Sequence, residues 1–323
     1  VTSPSSPPGR LRPFDLRRDL AQVADLVESC FAEHLDAEGR EFVRRMRAAS
    51  RGSSVFGWAS AGAERISLPL NGFVWELNGE LIGNLSLIPA YAHKRRAYLI
   101  ANVAVQPSHR QQGIARALTG EALQYIRRKG VKDIYLQARH DNPAALHLYH
   151  SFGFSEQTRR TTWQCSQRLA SLPPTPDQAS VAPRRRDDWP QQQAWLAENY
   201  PSQVAWHLPL DLKLLQPGFW GALLRALGED RLRQWAATQD DHLIGVLSAQ
   251  SSPSPIVRLW LAAPPEHDEA AIEALLPRAR ATLPRGHTLT LNYPAGRANA
   301  ALQAAGFQPH HTLIWMHKSL AAS

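Results

Sequence analysis

The chain has 323 residues, 44% of them hydrophobic, a formal charge of +8 and two cysteines. That length exceeds what one typical core fills, so two domains are expected. Cys30 and Cys165 make neither a disulfide framework nor a zinc cluster, the 13 histidines show no H-x-x-x-H or H-E-x-x-H spacing, and no apolar run approaches the roughly 18 to 20 residues of a membrane span. A cytoplasmic protein with no metal and no membrane partner is the expectation.

Residues 1–9 are rich in Ser and Pro and are expected to be disordered. Residues 11–14 predict a short edge strand, and the spacing of Leu20, Val23, Ala24, Val27 and Phe31 predicts a helix over 19–31, followed by a charged helix over 38–49. Residues 51–71 have no period and contain Gly52, Gly57, Gly62 and Pro69. For them a lid over a substrate and a disordered insertion both stand open. Asn78-Gly79 between apolar segments 73–77 and 81–88 is the strongest short hairpin signal.

Residues 99–105 predict the next strand, which Gln106-Pro107-Ser108 stops. Then Arg110 to Ala115 spells R-x-x-G-x-A, one cation and two positions without bulk, opening a helix over 114–129 with Gly130 as its C′ residue. The first amides of such a helix have no internal partner and its dipole end is positive, so the turn suits a pyrophosphate. Taken alone, those six residues also fit an ordinary strand-to-helix turn, and neither nucleotide-binding glycine motif is present. A strand over 134–139 follows, and Asn142-Pro143 makes an N-cap and first turn for another helix.

With these residues in view, the chain resembles the GNAT superfamily of acyl-CoA-dependent N-acetyltransferases, whose signature Q/R-x-x-G-x-G/A follows a bulged strand. The family patterns N-x-x-A-x-x-L-Y and G-F match at Asn142, Ala145, Leu148, Tyr149, Gly153 and Phe154. The resemblance implies an α+β fold, a mixed and mostly antiparallel sheet flanked by helices. It implies acetyl-CoA as cofactor and a primary amine, on a small molecule or a peptide N-terminus, as acceptor. Val103, Ala104 and Val105 would pair with pantetheine like an added strand, with a Val103 amide donating to the thioester oxygen. Arg110, Gln111, Gln112, Gly113, Ile114, Ala115 and Arg116 would hold the pyrophosphate, and Asn142 and Ala145 would border the cofactor. Tyr149 would protonate the departing sulfur, as a phenol of pKa roughly 10 can. Related N-terminal alanine acetyltransferases carry a glutamate where this chain has Gln137, which accepts no proton. Glu76 is therefore assigned as base, with His140, His147 and a water chain as the other candidates.

Charge is uneven along the chain. Residues 181–323 hold 13 Lys and Arg against 12 Asp and Glu, which leaves 23 against 16 for residues 1–180. The runs Lys94-Arg95-Arg96 and Arg127-Arg128-Lys129 are short, and no aromatic-interleaved stripe joins them. The basic character is assigned to coenzyme A phosphates, and no nucleic-acid partner is expected.

The second half repeats the first. Leu243-Ile-Gly-Val-Leu-Ser248 matches Leu81-Ile-Gly-Asn-Leu-Ser86, the spacing of 289–307 follows that of 136–154, and Trp315 echoes Trp163. The expected organisation is a catalytic GNAT-like domain over 10–168, a linker over 169–182 and a degenerate GNAT-like copy over 183–323. Laying 261–265 on 103–107 sets Asp268 under Arg110, Ala271 under Gly113, Glu273 under Ala115, Ala295 under Asn142 and Leu302 under Tyr149. Carboxylates would repel a pyrophosphate, so the copy is not expected to bind coenzyme A. The paired arrangement also resembles mycothiol synthases, in which the C-terminal copy is the catalytic one. A non-catalytic acyl-CoA-binding sensor or scaffold is the alternative function.

Overall fold

A strand, two helices and an antiparallel meander open the chain: β1 (Arg10–Pro13), α1 (Leu16–Phe31), α2 (Ala37–Arg51), β2 (Asn71–Leu77), β3 (Glu80–Ala92) and β4 (Arg95–Val105). They are followed by α3 (Ile114–Arg128), β5 (Asp133–Arg139), α4 (Pro143–Ser151) and β6 (Ser155–Ser166). The computed structural model describes residues 8–35, 37–51, 71–166, 179–208, 212–217, 231–251, 255–283 and 286–320. The expected lid over 51–71 and the expected disorder of the first residues therefore fall almost wholly outside the described residues. Helix α1 starts three residues earlier than its apolar spacing predicts. The side chain of Asp15 caps it, accepting from the amides of Arg17 (2.9 Å) and Arg18 (3.3 Å). Asn78 (φ 52°) and Gly79 (φ 87°) are both left-handed, the backbone that a two-residue hairpin of this twist requires.

The same series recurs as β7 (Ser180–Pro183), α5 (Trp189–Asn199), α6 (Ser202–Ala205), β8 (Arg231–Gln239), β9 (His242–Ser251), β10 (Ile256–Ala262), α7 (Asp268–Thr282), β11 (Thr288–Pro294), α8 (Asn299–Ala304) and β12 (Gln308–Ser319). The stretch expected to be linker thus ends in a strand, β7, which pairs antiparallel with β8 just as β1 pairs with β2. The recurrence reaches small features. The β2–β3 ladder shifts register between Trp75 and Glu76, and the β8–β9 ladder between Ala237 and Thr238. The glycine shared by the two Leu-Ile-Gly motifs has one physical cause in both places. A Cβ on Gly83 would stand 2.9 Å from Ile114 Cγ2 and 3.3 Å from Leu118 Cδ1, and one on Gly245 would stand 2.6 Å from Ala271 Cβ. In each copy the first turn of a helix comes down on the sheet where only glycine leaves room.

The chain divides into two compact units. The first comprises Val1–Gln137, Leu146–Ser155 and Met316–Ser323; the second comprises Ala138–Ala145 and Glu156–Trp315. In the first the strand order is β1-β2-β3-β4-β5, and Leu320 N donates to Lys132 O at 2.9 Å. In the second the order is β12-β6-β11-β10-β9-β8-β7. Strand β6, next to residue 168 in the sequence, belongs with the second unit because it pairs with β11 from Arg160↔Pro294 to Ser166↔Thr288. One core of the first unit lies under α1 and α2 (Leu20, Val23, Val27, Val43, Met46, Val74). The second unit has cores on α7 and α8 (Leu275, Leu289, Leu291, Phe307) and on α5 (Leu196, Tyr200, Trp260). Among the described residues no helix is long and apolar enough to cross a membrane.

Candidate active site

Strand β4 is regular over its first half and irregular over its second. Its antiparallel ladder with β3 shifts register between Asn84 and Ser86, opposite Ala104 and Ala101, so Asn102 and Val103 form a bulge. Asn102 has φ 50°, a left-handed conformation that asparagine tolerates. Its carbonyl accepts from Asn84 Nδ2 at 2.8 Å, and its amide side chain donates to Ser86 Oγ at 3.4 Å. On the other side, β4 pairs with β5 in parallel only from Ala97↔Asp133 to Ile100↔Leu136. Beyond Ile100 the two strands no longer share a ladder. Val103, Ala104 and Val105 thus lie on a bulged strand end that has lost its parallel neighbour.

The turn after β4 leads to an open helix start. Gln111 (φ 62°) and Gly113 (φ 85°) are left-handed, and Gly113 is the N-cap of α3 with no side-chain cap. A Cβ on Gly113 would meet nothing within 4 Å, so the space before the helix is free. Ala117 N is the first amide to close on the turn, donating to Gly113 O at 2.9 Å, which leaves the amides of Ile114, Ala115 and Arg116 without an α-helical partner. A concave run of amides at the positive end of a 15-residue helix fits a diphosphate. Arg110 Nε donates to Val105 O at 3.1 Å, and Cys30 Sγ approaches the same oxygen at 3.4 Å. Arg116 donates to Ser151 Oγ at 2.9 Å and lies 5.3 Å from the Phe152 ring, which joins the first turn of α3 to the end of α4.

Tyr149 sits on that joined helix, 5% exposed, edge-on to Phe154 at 6.0 Å. Burial pushes its phenol well above the usual range, which makes it a weaker acid than an exposed phenol. Asn142 Oδ1 accepts from Ala145 N at 3.0 Å, the predicted N-cap. Both residues lie in Ala138–Ala145, which groups with the second unit, whereas Tyr149 groups with the first.

Glu76 has a different setting from the one its assignment as base requires. It stands on β2, two strands from β4, and its carboxylate accepts from Arg12 Nε, Arg10 Nη2 (3.1 Å) and Arg18 Nη2 (3.2 Å). The hydrogen bond from Arg12 contributes most to holding its carboxyl below the ordinary carboxylate range. Arg12 also grips the fully buried Asp19 through two bonds of 2.6 and 2.8 Å. A carboxylate made less basic by three cations is an anchor between β1, β2 and α1. Of the other candidates, His140 lines a cleft of about 300 Å³ in the second unit with Arg159, Thr161, Trp163 and Thr312. His147 is exposed on α4.

The corresponding place in the second unit is closed. Strand β10 pairs with β9 without a register shift from Val257↔Ser251 to Ala262↔Val246, so it has no bulge. It also leaves β11 after four parallel pairs, ending at Leu259↔Leu291, but side chains fill the gap. Asn199 Nδ2 donates to Leu261 O (3.2 Å) and Ala263 O (3.0 Å), and Leu261 N donates to Tyr200 Oη at 3.4 Å. Helix α7 begins at Asp268, directly after a loop three residues shorter than that before α3, so Asp268 corresponds to Ile114 rather than to Arg110. Arg297 Nε donates to Asp268 Oδ2 at 3.0 Å, its Nη1 to Asn199 Oδ1 at 3.1 Å, and Tyr293 Oη to Asp268 Oδ2 at 3.4 Å. Alternation and helical period give no sign of this plug, because its members come from three distant elements.

A family model described as the acetyltransferase (GNAT) family matches residues 28–154. These residues include β4, its bulge, the start of α3 and Tyr149. Over 62 residues the chain is 39% identical to the [ribosomal protein bS18]-alanine N-acetyltransferase of Escherichia coli strain K12, a match covering 19% of this chain and 42% of that protein. The match thus spans less than half of that relative's length. Among solved structures, a GCN5-related N-acetyltransferase from Sphaerobacter thermophilus aligns with TM-score 0.58 and 14% identity over 97% of this chain and 96% of its own. A tandem GNAT protein from the clavulanic acid biosynthesis pathway aligns with TM-score 0.52 and 15% identity over 97% and 99%. At such identities the two structures speak to fold alone, and the fold they share with this chain extends beyond residues 28–154.

Proposed function

We propose that the GNAT domain is an N-acetyltransferase that moves an acetyl group from acetyl-CoA to a primary amine. The observation that carries this reading is the bulged, half-unpaired end of β4 running into the uncapped start of α3. Bound there, the thioester supplies an activated acyl group. Amides of Ile114, Ala115 and Arg116, with Gly113 clearing their approach, would hold the diphosphate. Val103, Ala104 and Val105 would pair with the pantetheine arm, and the Val103 amide would polarise the carbonyl. Tyr149, a neutral phenol made a weaker acid by its burial, would be the donor of the proton that the departing thiolate takes. Glu76 is left to its arginines, and solvent water takes the proton of the attacking amine. The second unit, plugged where the first is open, binds no cofactor and serves as a partner domain. The acceptor is a small amine or a peptide N-terminus.

A second reading, an acyl-CoA sensor without chemistry, has one observation in its favour: neither Gln137 nor Glu76 is set up as a base. Calorimetric titration of acetyl-CoA into the protein, followed by thiol release with a panel of amines, separates the two. One-site binding with amine-dependent thiol release supports the enzyme; one-site binding with no release from any amine supports the sensor; no binding removes both.

A further inference from the structure

Basic runs far apart in the sequence meet at one end of the first unit, the end away from the proposed cofactor site. The hairpin between β3 and β4 turns at His93 and Lys94, both left-handed (φ 50° and 62°), and projects Lys94, Arg95 and Arg96, all exposed. Tyr91 faces Arg96 across the hairpin and is 72% exposed, the exposed large hydrophobic side chain among the described residues. Arg96 shares a strand face with Tyr98, whose ring lies 6.3 Å from that of Tyr125 on α3, and Lys129 Nζ lies 5.4 Å above the Tyr125 ring. The parallel register Ala97↔Asp133 sets Arg96 beside Lys132. The last turn of α3 adds Arg127 and Arg128. The acidic groups nearby are engaged: Asp133 accepts from His317 Nε2 at 3.0 Å, and Glu121 pairs with Arg128 at 2.7 Å. No ion pair engages Lys94, Arg95, Arg96, Lys129 or Lys132 among the described residues.

We infer that this end of the first unit binds single-stranded RNA, with Lys94, Arg95, Arg96, Lys129 and Lys132 on phosphates and Tyr91 stacking on a base. Unpaired cations clustered around a solvent-facing aromatic ring are the chemistry that a flexible polyanion with exposed π-faces recognises. A lipid surface would also attract the cations and the ring, and the test below separates that partner from RNA. Free mononucleotides would engage too few of the charges. The sequence conceals the site because its runs are three residues each, and only the fold sets them side by side. Arg96 and Val103 lie seven residues apart along β4, roughly 23 Å, so RNA here leaves the cofactor groove clear.

The test is fluorescence anisotropy with a labelled, mixed-sequence single-stranded RNA of about twelve nucleotides, titrated with the full chain at several salt concentrations. The triple variant Lys94→Glu, Arg95→Glu, Arg96→Glu should weaken binding at least tenfold and flatten the slope of log Kd against log salt by about two. Tyr91→Ala should weaken it about fivefold, and Tyr91→Phe should leave it unchanged. Acetyl-CoA binding and the thermal midpoint should be the same in all of them. The control is Arg186→Glu, Arg231→Glu, Arg278→Glu, an equal charge change at exposed sites of the second unit. Equal loss in the control, or unchanged affinity in the hairpin variant, overturns the proposal. So does wild-type protein that binds phosphatidylserine vesicles and ignores RNA, which would make this end a membrane contact. Tyr91→Ala at full affinity overturns the stacking role.

Discussion

The start of α3 and the start of α7 follow the same run of strands in the first and the second unit, and they have opposite chemistry. Before α3 lie a bulge, a parted pair of strands and a left-handed glycine facing free space. Before α7 the strand is regular, the loop is shorter, and Asn199, Tyr200, Arg297 and Asp268 occupy the gap. Parting of the parallel strands is common to both units, since each does it after four pairs. What distinguishes them is whether the exposed main chain is left for a ligand or satisfied from within. Buried polar groups must find partners, and in the second unit the main chain finds them within the protein.

The contrast between open and closed copies is most vulnerable at Gly113. Gly113→Glu places a carboxylate before α3 and a side chain on a left-handed backbone, and acetyl-CoA affinity should fall about a hundredfold or more by calorimetry. Wild type should bind one cofactor per chain; two would mean the plug of the second unit opens. Tyr149→Phe removes one hydroxyl, and kcat for thiol release should drop about a hundredfold with the KM for acetyl-CoA unchanged. An unchanged kcat would take the proton-donor role from Tyr149.

Smaller effects are expected on the closed side. Arg297→Met leaves the nearly buried Asp268 without its cation and should cost about 2 to 3 kcal/mol in urea unfolding, with cofactor stoichiometry still one. The smallest change expected is at Glu76, whose carboxyl is held below its ordinary range. Its ion pairs contribute stability that is present above the unfolded pKa, about 4.3, and is lost as pH falls through the lowered folded value. Glu76→Gln should flatten stability against pH in that acidic window while leaving the pH profile of kcat in place. A shifted kcat profile would return Glu76 to the list of bases.

Local physics was legible in the sequence. Asn78-Gly79 takes the left-handed turn that its residue types favour, and Asn142 caps the helix that Pro143 starts. These depend on a few adjacent residues, so spacing reveals them; the shared Leu-Ile-Gly motif is legible as a repeat, and only the fold shows that its glycine lets a helix come down on the sheet. The pairing of strands was less legible: Ser180–Pro183 reads as linker from its composition, and β6 joins β11 through hydrogen bonds that no local pattern encodes. The site was legible as a motif, but its working parts are set by the fold. Glu76 is a free carboxylate in the sequence, and the fold surrounds it with Arg10, Arg12 and Arg18. The plug of the second groove and the basic end around Tyr91 are likewise assembled from distant residues. Charge and hydrogen bonding act through space over a few ångströms, and the sequence alone does not record which distant groups come that close.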